Sequence, residues 1–150
     1  MATPRDIPAP AFAFRVSWDT LDESSIEASF QEVAGLGIEM NVAEYRAGNY
    51  QENAPIKVNT TYKVPDVTCK RGIIGRLDLY EWVDAVREGT PNQLKTVTIK
   101  LMAEDRSTEV MRWKLIGARH MKYTGPTLNG NGTDLALEEL VFVSERIEMA

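Results

Sequence analysis

Two glycines flank a leucine in the segment from Phe30 to Asn49, FQEVAGLGIEMNVAEYRAGN, and glycines so spaced could hold a phosphate. A dinucleotide-binding loop has the pattern Gly-x-Gly-x-x-Gly between a strand and a helix, because glycine backbone approaches the pyrophosphate and the helix N-terminus binds it. Gly35 and Gly37 are present, but Met40 stands in place of the third glycine. The residues that follow alternate like a strand, so we predict a hairpin turn and no cofactor.

The other residues capable of catalysis or metal binding are isolated along the chain. His120 is the only histidine and Cys69 the only cysteine, which excludes a His pair or a multi-cysteine zinc site within one chain. Neither Gly72 nor Gly75 begins the Gly-Lys-Ser/Thr pattern of a nucleotide-binding loop. We interpret His120 as a surface or interface residue and Cys69 as a small buried group.

Carboxylates are numerous but have no spacing typical of acid–base catalysis or metal binding. They include Asp22, Glu23, Glu104, Asp105, Glu138 and Glu139. Tyr80, Trp82 and Trp113 could form a ligand platform, although packing between a helix and a sheet is the simpler interpretation. We predict no enzyme active site, no cofactor and no metal.

Length and composition indicate one ordinary globular domain. The chain has 150 residues, of which 43% are hydrophobic and 26% charged. Its net charge of -5 argues against a nucleic-acid binder, which needs clustered Lys and Arg. No apolar run approaches the roughly 20 residues of a membrane helix, and no secretory signal is present, so we expect synthesis in the cytoplasm. Residues 1–11 are expected to form an extended arm, and residues 12–150 a single domain.

Alternation of apolar and polar residues predicts several antiparallel strands. We expect a strand from Phe12, a hairpin from Ile26 to Tyr45, a short strand in DVTCKRGII, a second hairpin from Leu94 to Tyr123, and a final strand from Leu135. One apolar stripe predicts a helix from Leu79 to Glu88. The fold class is therefore mainly β with one α-helix, as an antiparallel β-sandwich or partly closed β-barrel with the helix packed on one side.

The segment from Arg46 to Pro65 shows no clear period and is rich in Asn, Pro and Gly. A loop of this length in a compact domain is usually functional or becomes ordered by a partner. This segment is our first candidate for an interface.

A set of motifs in a fixed order indicates the protein family to which the chain is similar. FQEVAGLGIE is followed by Glu44-Tyr45-Arg46-Ala47-Gly48, by Val67-Thr68-Cys69-Lys70-Arg71-Gly72, and by a short helix with Trp82. Trp113, the group Lys122, Tyr123 and Pro126, and the final strand LALEELVFVSERIEM come later. From about Phe12 to Met149, this order resembles the tail-tube proteins of contractile phage tails and related injection particles.

The resemblance implies a subunit that assembles into a hexameric ring, with rings stacked into a hollow tube inside a contractile sheath. Contraction of the sheath would drive the tube through an envelope, and the lumen would conduct DNA or effector protein. The implied partners are further copies of the chain, sheath protein, baseplate or tube-initiating proteins, and the cargo. A phage tail, a bacteriocin-like tail and an injection system all remain open.

The resemblance also implies two sets of site residues. Contacts between rings or subunits are expected at Tyr45, Arg46, Gly48, Asn49, Tyr50, Gln51, Glu52, Asn53, Lys70 and Arg71. Lumen-lining residues are expected in the two hairpins, at Glu39, Asn41, Thr96, Thr98 and Lys100. The acidic net charge favours an acidic or neutral lumen, through which nucleic acid would pass without being retained.

Two other functions are considered. One is a ring that initiates or terminates the tube, which would share the fold without polymerising indefinitely. The other, from a different class, is a small-ligand-binding β-barrel in which Trp82 and Trp113 line an apolar cavity.

Overall fold

A computed structural model describes residues 2–18, 29–89 and 94–150, and these residues contain nine strands and one helix. The strands are β1 (Phe14–Trp18), β2 (Phe30–Ala34), β3 (Glu39–Tyr45), β4 (Ile56–Lys63), β5 (Val67–Gly72), β6 (Lys95–Met102), β7 (Glu109–Thr124), β8 (Leu137–Val143) and β9 (Arg146–Met149). The helix α1 (Asp78–Arg87) follows β5. The prediction of a helix from Leu79 to Glu88 is confirmed, with each end shifted by one residue.

The strands form one seven-stranded sheet and a separate two-stranded sheet within the described residues. The large sheet has the order β1-β6-β7-β8-β5-β2, and β9 also pairs with β7. All pairs are antiparallel. The long strand β7 links two layers, because it pairs with β6 and β9 along its first part and with β8 along its last. The sheet does not close into a barrel, and among the described residues β1 and β2 stand at the ends of its strand order while β9 is a further edge strand beside β7. The predicted fold class is confirmed.

An aromatic cluster joins the helix to both layers. Trp82 of α1 is 3% exposed, and its ring centroid lies 5.9 Å from that of Trp18 and 5.3 Å from that of Phe142. Aromatic pairs at such distances contribute roughly 0.5–1.5 kcal/mol beyond the apolar area that they bury. The helix is amphipathic, and Leu79 and Trp82 are its buried residues. Packing of Trp82 in the core is therefore the correct interpretation, and Trp82 belongs to no ligand platform.

A buried cation connects the helix to the sheet. The guanidinium of Arg71 on β5 is 1% exposed and donates hydrogen bonds to Asp78 of α1 at 2.7 and 3.0 Å and to Glu138 of β8 at 2.8 Å. The Tyr123 hydroxyl of β7 donates to the other Glu138 oxygen at 2.7 Å. Burial by itself would lower the pKa of Arg71, but hydrogen bonds and charge attraction from the two carboxylates raise it above its ordinary value. The cation is therefore fully compensated by groups of its own chain.

The predicted hairpin from Ile26 to Tyr45 is wrong. β2 pairs with β5, whereas β3 pairs with β4, so the two expected partners lie in different sheets. Ile26, Ala28 and the acidic residues Asp22 and Glu23 lie outside the described residues. Gly35 marks the crossing between the sheets: its φ is +93°, and an added Cβ would lie 2.2 Å from the Asp66 carbonyl oxygen. Glycine is therefore required by close backbone approach, and a hairpin turn is not what it forms.

The predicted loop from Arg46 to Pro65 is also wrong over much of its length, because Ile56–Lys63 form β4. The pairing register of β3 and β4 shifts between Met40 and Val42, and the two neighbouring threonines Thr60 and Thr61 lie opposite this point. Such a bulge places the apolar residues of β4 on different faces, which hides a simple period of two. The true loop covers residues 46–55.

The N-terminal arm packs more closely than expected. Thr3 donates its backbone N–H to the Val110 carbonyl at 2.8 Å, and Arg5 donates two hydrogen bonds of 2.9 Å to the Glu104 carboxylate. The described part of the arm therefore lies over the turn between β6 and β7.

The predicted second hairpin is confirmed by the pairing of β6 with β7, whereas the predicted final strand is divided into β8 and β9.

We predict that Arg71→Met lowers the free energy of unfolding by about 3–5 kcal/mol, because it leaves two carboxylates without their buried partner. Urea denaturation followed by tryptophan fluorescence measures this loss. Lys70→Met is the matched control: Lys70 is the neighbouring residue on β5, its side chain is 37% exposed, and its Glu32 partner is 3.6 Å away. The control should lose less than about 1 kcal/mol. Equal stability of the two variants would contradict a structural role for the buried cation.

Candidate functional site

The two-stranded sheet of β3 and β4 has apolar side chains and backbone edges that the other described residues do not cover. Every residue of both strands is exposed, and within the described residues these strands pair with no other strand. An isolated two-stranded hairpin is at best marginally stable in water, so it needs a surface to pack against. We refer to residues 38–63 as the hairpin.

The hairpin carries apolar side chains on both faces. Cross-strand partners share a face, and the register pairs Met40 with Tyr62 and Tyr45 with Ile56. One face therefore has Met40, Val42 and Tyr62, and the other has Tyr45, Ile56 and Val58. These six side chains are 50–62% exposed. Contiguous exposed apolar surface of this kind marks an interaction site.

Charges on the hairpin balance. Three acidic and three basic side chains lie between residues 38 and 63 of a chain whose net charge is -5. The register places Glu39 opposite Lys63 and Glu44 opposite Lys57, and opposite charges in such positions support the pairing of strands. The hairpin can therefore be buried against another surface without carrying an uncompensated net charge into it.

The tip of the hairpin is held by Arg46. Its guanidinium donates to the backbone carbonyls of Glu52 at 3.1 Å and Tyr50 at 3.3 Å and to the side-chain oxygen of Asn53 at 3.3 Å. The rings of Tyr45 and Tyr50 meet edge to face, with centroids 6.3 Å apart. The expectation that this segment lacks order of its own is corrected, because the chain's own Arg46 fastens the loop.

The structure divides the predicted contact residues into two groups. Eight lie together at the hairpin tip: Tyr45, Arg46, Gly48, Asn49, Tyr50, Gln51, Glu52 and Asn53. Lys70 and Arg71 lie on β5 in the large sheet. Arg71 is a correction, because its buried side chain is bound by Asp78 and Glu138 and cannot reach another ring. Three further exposed apolar residues of the hairpin were not predicted as contact residues: Ile56, Val58 and Tyr62. Ile56 and Val58 already show the spacing of two that is typical of a strand.

The predicted lumen residues also lie in two places. Glu39 and Asn41 belong to β3 of the hairpin. The amide of Asn41 donates to the Thr61 hydroxyl at 2.9 Å, and its carbonyl accepts from the Thr60 hydroxyl at 3.0 Å, so Asn41 holds the bulge together. Thr96, Thr98 and Lys100 belong to β6 of the large sheet, where they alternate with the buried Val97 and Ile99.

The outward face of β6 is basic. Lys100 lies between Arg15 of β1 and Arg112 of β7 in the pairing register, and Thr98 lies beside Lys114. Glu109 accepts two hydrogen bonds from Arg112, which keeps the pKa of the Glu109 carboxyl well below its usual range, at about 2. The expectation of a neutral or acidic lumen and the assignment of Lys100 to the lumen therefore conflict for a nucleic-acid cargo.

Of the two residues with catalytic potential, Cys69 is buried and His120 is partly buried. Burial raises the pKa of the Cys69 thiol to about 12, which disfavours the reactive thiolate. His120 is a correction to its interpretation as a surface residue, because its ring centroid lies 4.1 Å from that of Trp82 and both ring nitrogens are buried. Burial, and then the charge of Lys95, lower the pKa of His120 to about 4.

The described residues give no sign of a metal centre or a membrane-spanning helix. Among them, no three His, Cys, Asp or Glu side chains are grouped so that they could hold a metal ion. The helix that the described ranges contain is too short and too polar to cross a bilayer.

Comparison with known proteins gives a consistent family and fold. A family model described as T4-like virus tail tube protein gp19 matches residues 10–148. The chain is similar to one from the PVC sheath-tube complex of an extracellular contractile injection system, with a TM-score of 0.84 and 23% identity, covering 97% of this chain and 93% of that one. It is also similar to a chain from the PVC sheath/tube terminator, with a TM-score of 0.83 and 25% identity, covering 97% of this chain and 98% of that one.

A more distant similarity concerns the fold alone. Hcp1 from Flavobacterium johnsoniae has a TM-score of 0.57 and 16% identity, covering 93% of this chain and 95% of that one. No curated protein sequence matches the chain.

We predict that His120 makes the folded state sensitive to mild acid. Its pKa is about 6.5 in the unfolded chain and about 4 in the folded protein, so the unfolded state binds more protons between these values. Stability is therefore complete above about pH 6.5 and is lost as the pH falls toward 4. Allowing for partial solvent exposure, we expect a loss of about 1–2 kcal/mol.

Urea denaturation at several values between pH 7 and pH 4.5 measures this effect. In His120→Phe, which keeps an aromatic ring against Trp82, the part of the pH dependence that comes from the imidazole should disappear. An unchanged pH profile in that variant would contradict the prediction.

Proposed function

The chain belongs to the family of T4-like virus tail tube proteins, and from this premise we propose that it is a structural inner-tube subunit of a contractile particle. In this proposal, six copies form a ring, and stacked rings form a hollow tube inside a sheath. Contraction of the sheath pushes the tube through an envelope, and the lumen conducts DNA or effector protein. The role is mechanical and requires no catalytic site.

One observation carries the proposal: the hairpin has apolar side chains on both faces and open backbone edges on both strands. In a monomer such an element is unfavourable, since it exposes unpaired backbone groups and apolar area to water. A neighbouring copy can pair with the backbone groups and cover the apolar side chains. Head-to-tail contacts that close into a ring give every copy the same environment and leave no free edge.

The hairpin tip supports a role in stacking. The loop of residues 46–55, which Arg46 fastens, joins the two exposed strands at the tip, and its exposed residues are free of the large sheet's core, which supports a contact with a second ring. The residues Tyr45 to Asn53 therefore remain proposed inter-ring contacts. Lys70, which is partly exposed on β5, remains a proposed contact between subunits, whereas Arg71 does not.

Charge governs the proposed lumen. The balanced hairpin suits a passage that does not retain nucleic acid, so Glu39 and Asn41 are proposed lumen residues for any cargo. The basic face of β6 would bind phosphate. Thr96, Thr98 and Lys100 are therefore proposed for the lumen only where the cargo is an acidic protein.

A related role is favoured by the similarity to the PVC sheath/tube terminator. A terminating or initiating ring has the same fold and the same contacts within the ring but does not polymerise indefinitely. Electron microscopy of the purified protein distinguishes the roles, because open-ended tubes indicate the tube subunit and isolated rings indicate the terminal ring. In both roles the proposed partners are sheath and baseplate proteins, and the proposed location is a phage tail or injection particle made in a bacterial cytoplasm.

The ligand-binding alternative has weak support. Trp82 is enclosed by Trp18, Phe142 and His120, whereas Trp113 lines a cleft with Phe14. The two tryptophans therefore do not line one cavity.

We predict that Val42→Asp combined with Val58→Asp abolishes assembly while leaving a folded monomer. Each substitution places a carboxylate on one apolar face of the hairpin, and burying it without a partner costs several kcal/mol, which weakens association by about 100-fold or more. Light scattering and electron microscopy measure the loss of rings. Leu128→Asp is the control, because Leu128 is 83% exposed but lies outside the hairpin. Normal rings from the double variant would refute the proposed role of the hairpin.

We predict that deletion of residues 49–53 has a different effect from loss of the apolar faces. The deletion shortens the tip but keeps β3 and β4, so rings should form and stack poorly. Electron microscopy should show single rings or short stacks in place of long tubes. Tubes of normal length would remove the tip from the proposed contact between rings.

A further inference from the structure

The segment between β7 and β8, residues 125–136, is a loop that contains neither helix nor strand. It borders an open cleft of about 700 Å³ together with Gln31 of β2. Its sequence, GPTLNGNGTDLA, contains two Asn-Gly steps, Asn129-Gly130 and Asn131-Gly132. No other asparagine of the chain is followed by glycine. We call residues 125–136 the Asn-Gly loop.

An Asn-Gly step carries its own nucleophile and its own electrophile. The backbone nitrogen of the glycine, once it has lost its proton, can attack the side-chain amide carbon of the asparagine. Glycine hinders this approach least of all residues, because it has no Cβ atom and its backbone reaches conformations that are closed to the others. The reaction requires no enzyme, so it can occur in a protein that has no catalytic site.

Gly130 is a position at which the structure does not require glycine. Its φ is not positive, in contrast to that of Gly35. A Cβ atom added at position 130 would meet no other atom within 4 Å. Neither the backbone conformation nor the packing therefore explains this glycine, whereas the reactivity of Asn129 depends on it.

The side chain of Asn129 is held in a position that favours the attack. Its Oδ1 accepts a hydrogen bond of 3.0 Å from the backbone N–H of Asn131. This Asx turn folds the side-chain amide over Gly130, the residue between them. The same N–H would stabilise the negative charge that Oδ1 carries in the tetrahedral intermediate.

Asn131 is placed differently, although its sequence step is the same. The nitrogen that would attack it belongs to Gly132, whose N–H donates to the Asn129 carbonyl at 3.1 Å and closes a turn. Attack requires this nitrogen to lose its proton and the turn to lose that bond. The N–H of Gly130, by contrast, has no acceptor among the residues that the structure describes. The fold therefore distinguishes two steps that the sequence does not.

We propose that Asn129 is a site of spontaneous deamidation and that the fold makes it react before Asn131. Hydroxide removes the Gly130 amide proton, the Gly130 nitrogen forms a bond to Asn129 Cγ, and the Cγ–Nδ2 bond breaks. Nδ2 leaves as ammonia with a proton from water. Water then opens the succinimide ring at either carbonyl, which gives aspartate or isoaspartate at position 129. The net reaction consumes one water molecule and releases one ammonia.

The modification changes both the charge and the backbone of the Asn-Gly loop. It adds one negative charge to each copy of a chain whose net charge is -5. The isoaspartate product also lengthens the backbone by one atom, in a loop whose residues 127–135 are all exposed. Loops tolerate such changes better than strands do. The inference goes beyond the proposed function and does not depend on it, because the reaction needs only this loop.

The test follows the folded full-length chain during incubation at mildly alkaline pH. Trypsin releases both steps in one peptide, residues 123–146, because no Lys or Arg lies between Lys122 and Arg146. Fragmentation in the mass spectrometer assigns each deamidation to position 129 or 131, and isoaspartate methyltransferase labels the isoaspartate product. The same chain unfolded in guanidinium chloride is the reference, since both steps are then equally accessible.

In the folded chain, deamidation at Asn129 should exceed that at Asn131 by about tenfold or more, which corresponds to about 1.4 kcal/mol in the barrier. In the unfolded chain the two rates should be similar. Gly130→Ala should fold normally, as circular dichroism will show, because its added Cβ atom meets nothing. This variant should lower deamidation at Asn129 by about tenfold or more. Asn131→Ser is the matched control, because it keeps the backbone N–H at position 131 and should leave the reaction at Asn129 unchanged.

Three results would overturn the inference. Equal rates at the two asparagines in the folded chain would show that the fold does not discriminate between them. An Asn129 that stays intact in the folded chain but reacts in the unfolded chain would remove the site. An unchanged rate at Asn129 in Gly130→Ala would exclude the Gly130 nitrogen as the nucleophile. None of these results bears on ring formation, which electron microscopy of the same samples measures separately.

Discussion

The guanidinium of Arg71 is the interaction on which the rest of the fold depends. It binds Asp78 at the start of α1 and Glu138 on β8, and Glu138 in turn accepts a hydrogen bond from Tyr123 on β7. The same guanidinium lies 5.6 Å from the centroid of the Phe30 ring on β2. One cation thus connects the helix to four strands. Burying a charge without partners costs several kcal/mol of free energy. Arg71 can therefore be buried only when the helix and these strands are packed together.

Around this cation the buried core is formed by groups of a single chain. The aromatic cluster of Trp18, Trp82 and Phe142 closes the space between the helix and the two layers, and the buried strand residues alternate as the pleat requires. Folding of this part needs no partner. The hairpin is the opposite case, since its apolar side chains remain exposed and its strands pair only with each other within the described ranges. Folding and the proposed assembly therefore use different surfaces of the same molecule.

Gly35 connects these two parts. Its positive φ and its approach to the Asp66 carbonyl turn the chain out of the large sheet and direct it into β3. The segment beginning at Phe30 thus contributes one strand to the core, one glycine to the crossing, and one strand to the hairpin. A side chain at position 35 would collide with backbone, so the direction of the hairpin depends on the absence of a Cβ atom.

Local patterns in the sequence determined the strand character of most segments, the position of α1, the lack of clustered catalytic residues and the family motifs. These properties depend on neighbouring residues, for which a period of two or of 3.6 is sufficient evidence. The strand partners, the burial of Arg71 and the exposure of Val58 could not be obtained in this way. Glu138 is 67 residues from Arg71 in the chain, and β2 finds β5 rather than β3. Only the tertiary structure decided these features, because they arise from contacts between distant segments, and local periodicity carries no information about such contacts.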